Sequence, residues 1–213
     1  MDVEAMRREA EAPVLATRAD GPAVAADLAD AFTDDVAFDW MLRTDAKRTA
    51  ARLRFFNMIV SLGQAAGGRI ERPAGGGAAA VWLPFEAAGP LPLMTELRAL
   101  PTLLNTTGLG RFGRLAAIRA DLDKHHPMDR RHTYLWFLGV THVAQGHGVG
   151  SRLLKVATDR LDQAGEPAYL ETQNERNVGL YRRHGFEIIS EHRCRADAPL
   201  MWSMWREPLP VRS

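Results

Sequence analysis

A continuous apolar run, Tyr134-Leu135-Trp136-Phe137-Leu138-Gly139-Val140, is followed by a glycine-rich loop, a segment of helical periodicity and a second strand-like stretch. That order restricts the fold more than any other feature of the chain. A strand that is apolar at consecutive positions is buried on both faces, which places it in the middle of an at least partly parallel sheet. After the loop, Gly150, Leu153, Leu154, Ala157 and Leu161 follow the spacing of one helix face. Arg152, Lys155, Asp159 and Asp162 fall on the other side, and Gly165 suits the position just past the end. The stretch 167–172 then reads as a strand. Strand, helix and strand make a crossover unit, so the two strands are expected to be parallel and joined right-handedly. The fold class is α/β or α+β, with a mixed sheet.

The remaining segments fill in around this unit. The stretch 14–17 is a short strand candidate, followed by Asp20 as a helix cap with Pro22 in the first turn of a helix over 24–32. A helix over 46–65 shows Leu53, Phe56, Ile59 and Leu62 on one face. The stretches 69–72 and 79–83 flank Gly75-Gly76-Gly77 and read as a hairpin. Residues 90–127 carry no strand signal; they read as a helical insertion broken at Pro101 and Gly108. A short helix over 175–183, capped by Asn174, leads to final strands over 186–193 and 200–205. Length over ~150 is roughly 1.4, so one domain over residues 1–213 with an insertion is expected rather than two.

Composition excludes several classes. The 27 basic and 26 acidic residues nearly cancel, which argues against a nucleic-acid partner. One cysteine, Cys194, builds neither an internal disulfide nor a cysteine-based zinc site. No apolar run is long enough to cross a bilayer, and Met1-Asp2-Val3-Glu4 lacks the build of a signal peptide. A cytoplasmic protein without a membrane partner is expected. His125, His126, His132 and His142 show no ligand motif, so no metal is expected.

The loop Gln145-Gly146-His147-Gly148-Val149-Gly150 lies where a buried strand passes into a helix. A helix N-terminus offers unpaired N–H groups and partial positive charge, and glycines let an anion approach them closely. A tight strand-to-helix turn would use the same glycines. Gly150-Ser151-Arg152 lacks the lysine of a P-loop, and the glycine spacing and late position fit a dinucleotide fold poorly.

Downstream, Asn177, Tyr181 and Gly185-Phe186 recur at intervals of four. The glycine loop after an apolar strand, together with this set, resembles the GCN5-related N-acetyltransferase (GNAT) superfamily, strongly over 135–187. Thr17-Arg18-Ala19-Asp20 is similar to its weaker N-terminal signature, and 165–177 looks like the puromycin N-acetyltransferase branch. The resemblance implies a mixed, mostly antiparallel twisted sheet whose central parallel strand pair is splayed for CoA, flanked by helices. It implies acetyl-CoA as cofactor, bound at the pyrophosphate by Gln145, Gly146, His147, Gly148, Val149 and Gly150, with Ser151 and Arg152 nearby. Leu138, Gly139 and Val140 would pair by main chain with the pantetheine arm, Asn177 would contact the cofactor, and Tyr181 would sit by its sulfur. His147 departs from the lysine or arginine common there, and Gly179 from the family's usual side chain.

Acetyl transfer needs a neutral amine. An alkylammonium of pKa ~10.4 is under a thousandth neutral at pH 7, so a base is useful. Glu171, at the C-terminal end of its strand, is the candidate base, and Tyr181 the candidate group at the departing sulfur. The expected activity is direct transfer of an acetyl group to a primary amine of a small molecule, antibiotics and aminonucleosides among the candidates, with a homodimer as the default assembly. A protein N-terminal or lysine acetyltransferase, and a non-catalytic acetyl-CoA-binding regulatory module, are the alternatives.

Overall fold

The computed structural model describes residues 2–210. Helix α1 (Val3–Glu9) and strand β1 (Val14–Leu15) open the chain, followed by α2 (Gly21–Ala31), α3 (Val36–Met41) and α4 (Arg48–Ala65). The hairpin β2 (Arg69–Arg72) and β3 (Ala78–Leu83) leads to helices α5 (Leu93–Thr107) and α6 (Phe112–His125). The core unit is β4 (Thr133–Val140), α7 (Val149–Ala164) and β5 (Ala168–Thr172), and the chain closes with α8 (Glu175–Arg183), β6 (Glu187–His192) and β7 (Met201–Arg206). Seven strands form one sheet in the order β1-β2-β3-β4-β5-β7-β6. Only β4 and β5 pair in parallel; every other neighbouring pair is antiparallel. The sheet is therefore mixed and mostly antiparallel with a central parallel pair, as the resemblance implied. Met1 and residues 211–213 of the expected domain lie outside the described residues.

Local chemistry accounts for the crossover. The apolar stripe of α7 buries Leu153, Leu154, Ala157 and Leu161 against β3 and β4, and Gly165 ends the helix at φ 66°, where a Cβ is disfavoured. The inner strand β3 (Ala-Ala-Ala-Val-Trp-Leu) is buried at every position because helices cover both faces of the sheet. On one face α2, α3 and α4 enclose a cluster of Phe32, Phe38, Phe55, Phe56 and Phe137, whose ring centroids lie 5.2–6.3 Å apart. Such aromatic pairs add attraction beyond their buried area.

The structure departs from the sequence expectations at particular points. Leu53 is 39% exposed, and α4 instead buries Phe55, Phe56, Ile59 and Val60. Pro101 does not break the insertion. Helix α5 runs through it to Thr107 because Ala99 and Leu103 dock inside, and the break comes at Gly108 with φ 69°. Helix α1 carries only a weak pattern in sequence; Met6 and Ala10 bury against Ala78, Val149 and Leu153.

Gly139 owes its identity to packing. A Cβ there would lie 2.8 Å from Leu28 Cδ2 and 2.9 Å from Ala31 Cβ, so α2 approaches β4 as closely as it does only over bare main chain. Gly139→Ala is expected to cost roughly 1–3 kcal/mol, as overpacking does. Urea unfolding would show this as a lower midpoint; an unchanged midpoint would mean that α2 gives way freely.

Candidate active site

The parallel contact between β4 and β5 lasts three residue pairs, Thr133–Ala168, Tyr134–Tyr169 and Leu135–Leu170. Beyond it, β4 stays with β3 and β5 stays with β7, so the sheet opens between them. A bulge at Trp136 helps: Trp82 pairs with Leu135 and Val81 with Phe137, leaving Trp136 unmatched. The extra residue turns Trp136 and Phe137 to the same face, an irregularity that often sits beside active sites.

The ladder also fixes which main-chain groups face the opening. Thr141 N donates to Gly77 O at 2.8 Å. Bonded and unbonded pairs alternate along an antiparallel ladder, so Gly139 bonds to Ala79, while Leu138 and Val140 direct their main chain away from β3 into the gap. Of the three positions expected to face a pantetheine arm, the main chain of Gly139 is thus engaged by β3.

At the end of β4 the glycine loop turns into α7. Gly146 and Gly148 both have φ 79°, and a Cβ on Gly146 would meet nothing within 4 Å. The amides of Val149, Gly150 and Ser151 have no acceptor among the described residues, as befits a first helical turn. Gln145 serves the loop itself: its amide donates to Thr141 O at 3.1 Å, and its side chain to Val140 O and Ala31 O at 3.0 and 3.2 Å. Gly150 packs on β4, where a Cβ would stand 3.3 Å from Val140. The Ser151 hydroxyl is 2.8 Å from His184 Nε2. His147 is exposed and bonds back to Gln145 O. Arg152 reaches Gly148 O at 3.2 Å and Glu11 at 2.8 Å, which holds a permanent cation beside the loop.

A cavity of about 270 Å³ runs through the opening between β4 and β5. Leu138, Asn177 and Tyr181 line it on the side of α8, and Glu171, Tyr134 and His126 on the other. Its outer wall is mostly apolar, with Phe38, Phe55, Met58, Leu103 and Ile118 from α3, α4, α5 and α6, and it also carries Asp35, Arg119 and Asp123. The helical insertion and α4 thus close over the opening.

Burial, with a contribution from the nearby Asp35 carboxylate, pushes the Tyr181 phenol well above its ordinary value. Asp35 caps α3 by accepting from the amides of Ala37 and Phe38, and its own burial raises its carboxyl. Glu171 has a side chain 4% exposed, with His126 Nδ1 at 3.5 Å from Oε1, yet Oε1 makes no hydrogen bond. Burial and the Glu171 charge push the phenols of Tyr134 and Tyr169 upward. Sequence reasoning weighed His126 and His132 only as metal ligands, and gave no site role to them or to Asp35, Tyr134 and Tyr169. Strand alternation alone places Tyr169 beside Glu171, and the β4–β5 register then adds Tyr134; no spacing pattern brings in His126.

Asp121, His125 and His192 bring potential ligand atoms within 4.8 Å of one another. Their imidazoles are stacked, with centroids 3.8 Å apart and planes 18° from parallel, so their in-plane nitrogens do not converge on one ion. His192 instead bridges Asp121 Oδ2 at 2.6 Å and Ser203 Oγ at 3.1 Å, and Ser203 accepts from Tyr169 at 3.0 Å.

Residues 112–186 match the sequence profile of the acetyltransferase (GNAT) family. A mycothiol acetyltransferase of Jonesia denitrificans is 43% identical over 61 residues, which are 27% of this chain and only 19% of that protein's length. The crystal structure of histone acetyltransferase HPA2 and related acetyltransferase from Corynebacterium glutamicum has a TM-score of 0.67 and 25% identity, covering 94% of this chain and 98% of its own. Arylalkylamine N-acetyltransferase 2 of Aedes aegypti shares the fold, with a TM-score of 0.59 over 92% of this chain and 98% of its own at 9% identity. No described helix is long and apolar enough to cross a membrane. The family's profile thus covers the glycine loop and the strands on either side of the opening, and nearly the whole chain shares its fold with an acetyltransferase structure.

Proposed function

We propose that this protein transfers an acetyl group from acetyl-CoA directly to the primary amine of a small, largely apolar molecule. The observation that carries the reading is the cavity that passes through the sheet, with Tyr181 on one side and Glu171 on the other. The residues fit the cofactor. Unpaired amides of Val149, Gly150 and Ser151, behind the open Gly146–Gly148 turn and beside Arg152, suit a pyrophosphate. The outward main chain of Leu138 and Val140 suits the amides of a pantetheine arm added as an extra strand, and Asn177 stands where it can contact that arm. Acetyl-CoA supplies the acyl group as an activated thioester. With acetyl-CoA bound, Glu171 would take a proton from the acceptor ammonium, the Val140 amide would be free to stabilise charge on the thioester oxygen, and Tyr181 would donate a hydrogen bond to the sulfur. Cys194 follows the end of β6 and is not among the residues lining the cavity, so transfer within a ternary complex is favoured over a cysteine-bound acyl group.

An aromatic-lined cavity of about 270 Å³, walled by α3, α4, α5 and α6, supports a small acceptor over a protein chain. The near-balanced charge and lone cysteine support a cytoplasmic setting. Calorimetry with coenzyme A and a thiol-release assay over a panel of amines test the reading. Coenzyme A is expected to bind, and arylalkyl amines are expected to outpace aminonucleosides, aminoglycosides and peptides. Coenzyme A binding without thiol release from any amine would favour a regulatory module, and the fastest release with peptides a protein acceptor.

A further inference from the structure

The hydrogen bonds behind Glu171 fix where protons stand, without reference to any substrate. His132 Nδ1 lies 2.7 Å from the carbonyl oxygen of Arg130, which only accepts, so that nitrogen carries the proton. His132 Nε2 of a neutral ring is then a bare acceptor. It lies 3.0 Å from His126 Nε2, and this contact needs one proton, which His126 must supply. The remaining nitrogen of a neutral His126, Nδ1, is consequently bare as well, and it faces Glu171 Oε1 at 3.5 Å. Two acceptors confront each other in a buried site, which is why Oε1 has no hydrogen-bond partner. A buried acceptor left unpaired is costly and calls for a donor.

We propose that the space between His126 Nδ1 and Glu171 Oε1 is a proton-holding site, empty at rest and filled by the proton that an acceptor ammonium loses. With both groups bare the pair carries one negative charge. When an ammonium enters, an N–H bond breaks, its electron pair stays on the amine nitrogen, and Glu171 takes the proton; the new O–H bond then breaks as the proton settles on His126 Nδ1, with Glu171 accepting the hydrogen bond from it. Ammonium and anionic pair become neutral amine and neutral pair, so no net charge is created in the apolar cavity. The proton passes to water when the emptied cavity refills. His126 acts through Glu171, and His132 with the Arg130 carbonyl sets its tautomer. This catalytic use rests on the acetyl-transfer reading above; the proton site itself does not.

The groups facing the pair are His132 and Arg130 from the loop after α6, Asp123 from α6, Tyr134 from β4 and Tyr169 from β5. Burial lowers His132, which keeps that ring neutral. Both phenols are raised and stay protonated.

The test is ring-nitrogen NMR of the full chain labelled with 15N-histidine, followed across pH, with His126→Gln and His132→Gln identifying the signals. In the resting protein His126 is expected to carry its proton on Nε2 with Nδ1 bare, and His132 to carry its proton on Nδ1. Glu171→Gln is expected to leave both tautomers in place, because the Arg130 carbonyl and the contact between the two rings set them. A His126 already protonated at Nδ1 in the resting protein at neutral pH, or a neutral His126 with its proton on Nδ1, would overturn the proposal. A kinetic arm uses phenethylamine and acetyl-CoA. His126→Gln is expected to lower kcat about 100-fold at neutral pH, with KM for acetyl-CoA unchanged and the deficit shrinking as pH rises. An equal deficit at every pH would mark His126 as structural and overturn its catalytic use. Failure of the wild-type protein to bind coenzyme A would sink the acetyl-transfer reading instead, and the ring spectra would still decide the proton site.

Discussion

Glu171→Gln is expected to lower kcat for an alkyl amine by on the order of 10²–10³ at pH 7, the range associated with loss of a general base. The affinity for acetyl-CoA should hold, since Glu171 lies across the sheet opening from the glycine loop. The amide has nearly the shape of the carboxylate, and the pairing of residue 171 with Ser203 is a main-chain matter, so β5 keeps its register. What disappears is the carboxylate that stands where His126 and two phenols converge. The sign of the pH dependence follows from the acceptor. An alkylammonium releases its own proton near pH ~10.4, so the deficit should narrow steadily as pH climbs toward that value. An aromatic amine, already neutral at pH 7, should lose far less. A loss that is equal for both amines and flat in pH would show that Glu171 shapes the cavity without taking a proton.

The features legible in the sequence are those written into contiguous residues. The apolar run of β4, the glycine turn, the stripe of α7 and Gly165 lie in one stretch, and each rule involved is local, so strand, helix and parallel partner could all be placed. Asn174 capping α8 is of the same kind. Non-local packing hid the rest. Leu53 and Phe55 are both apolar residues of α4, and only the docking of α2, α3 and β4 decides that the second goes inside. Pro101 is a helix breaker by its local chemistry, yet α5 continues because its flanking turns pack. Gly139 reads as part of a cofactor site until Leu28 and Ala31 are seen against it. In the site itself, Tyr181 and Glu171 lie on recognisable elements, whereas His126 arrives on a loop from the insertion and His132 immediately before β4. Only the folded sheet brings these two rings to Glu171.

Tyr181→Phe is expected to leave coenzyme A affinity unchanged and to reduce kcat about 100-fold, the scale of a lost proton-donating group. The ring belongs to the cluster with Val178 and Phe186, standing edge-on to Phe186 at 6.0 Å, and phenylalanine retains those contacts. The change therefore removes one hydroxyl from the cavity and little else. The direction of its pKa decides what that hydroxyl does. An ordinary phenol at ~10 already holds its proton more tightly than a thiol at ~8.5. Burial and Asp35 raise Tyr181 further, so complete transfer to a departing thiolate becomes still more uphill. Donation of a hydrogen bond to the developing negative charge remains, and it needs the phenol protonated, which the upward shift secures across the working range. The wild-type pH–rate profile should accordingly show no alkaline limb belonging to Tyr181. Asp35→Asn, which keeps a side-chain acceptor at the start of α3 but removes the charge, should shift kcat far less than Tyr181→Phe. Unchanged turnover in Tyr181→Phe would remove this hydroxyl from the chemistry and leave the departing sulfur to be stabilised by main-chain groups of the sheet opening.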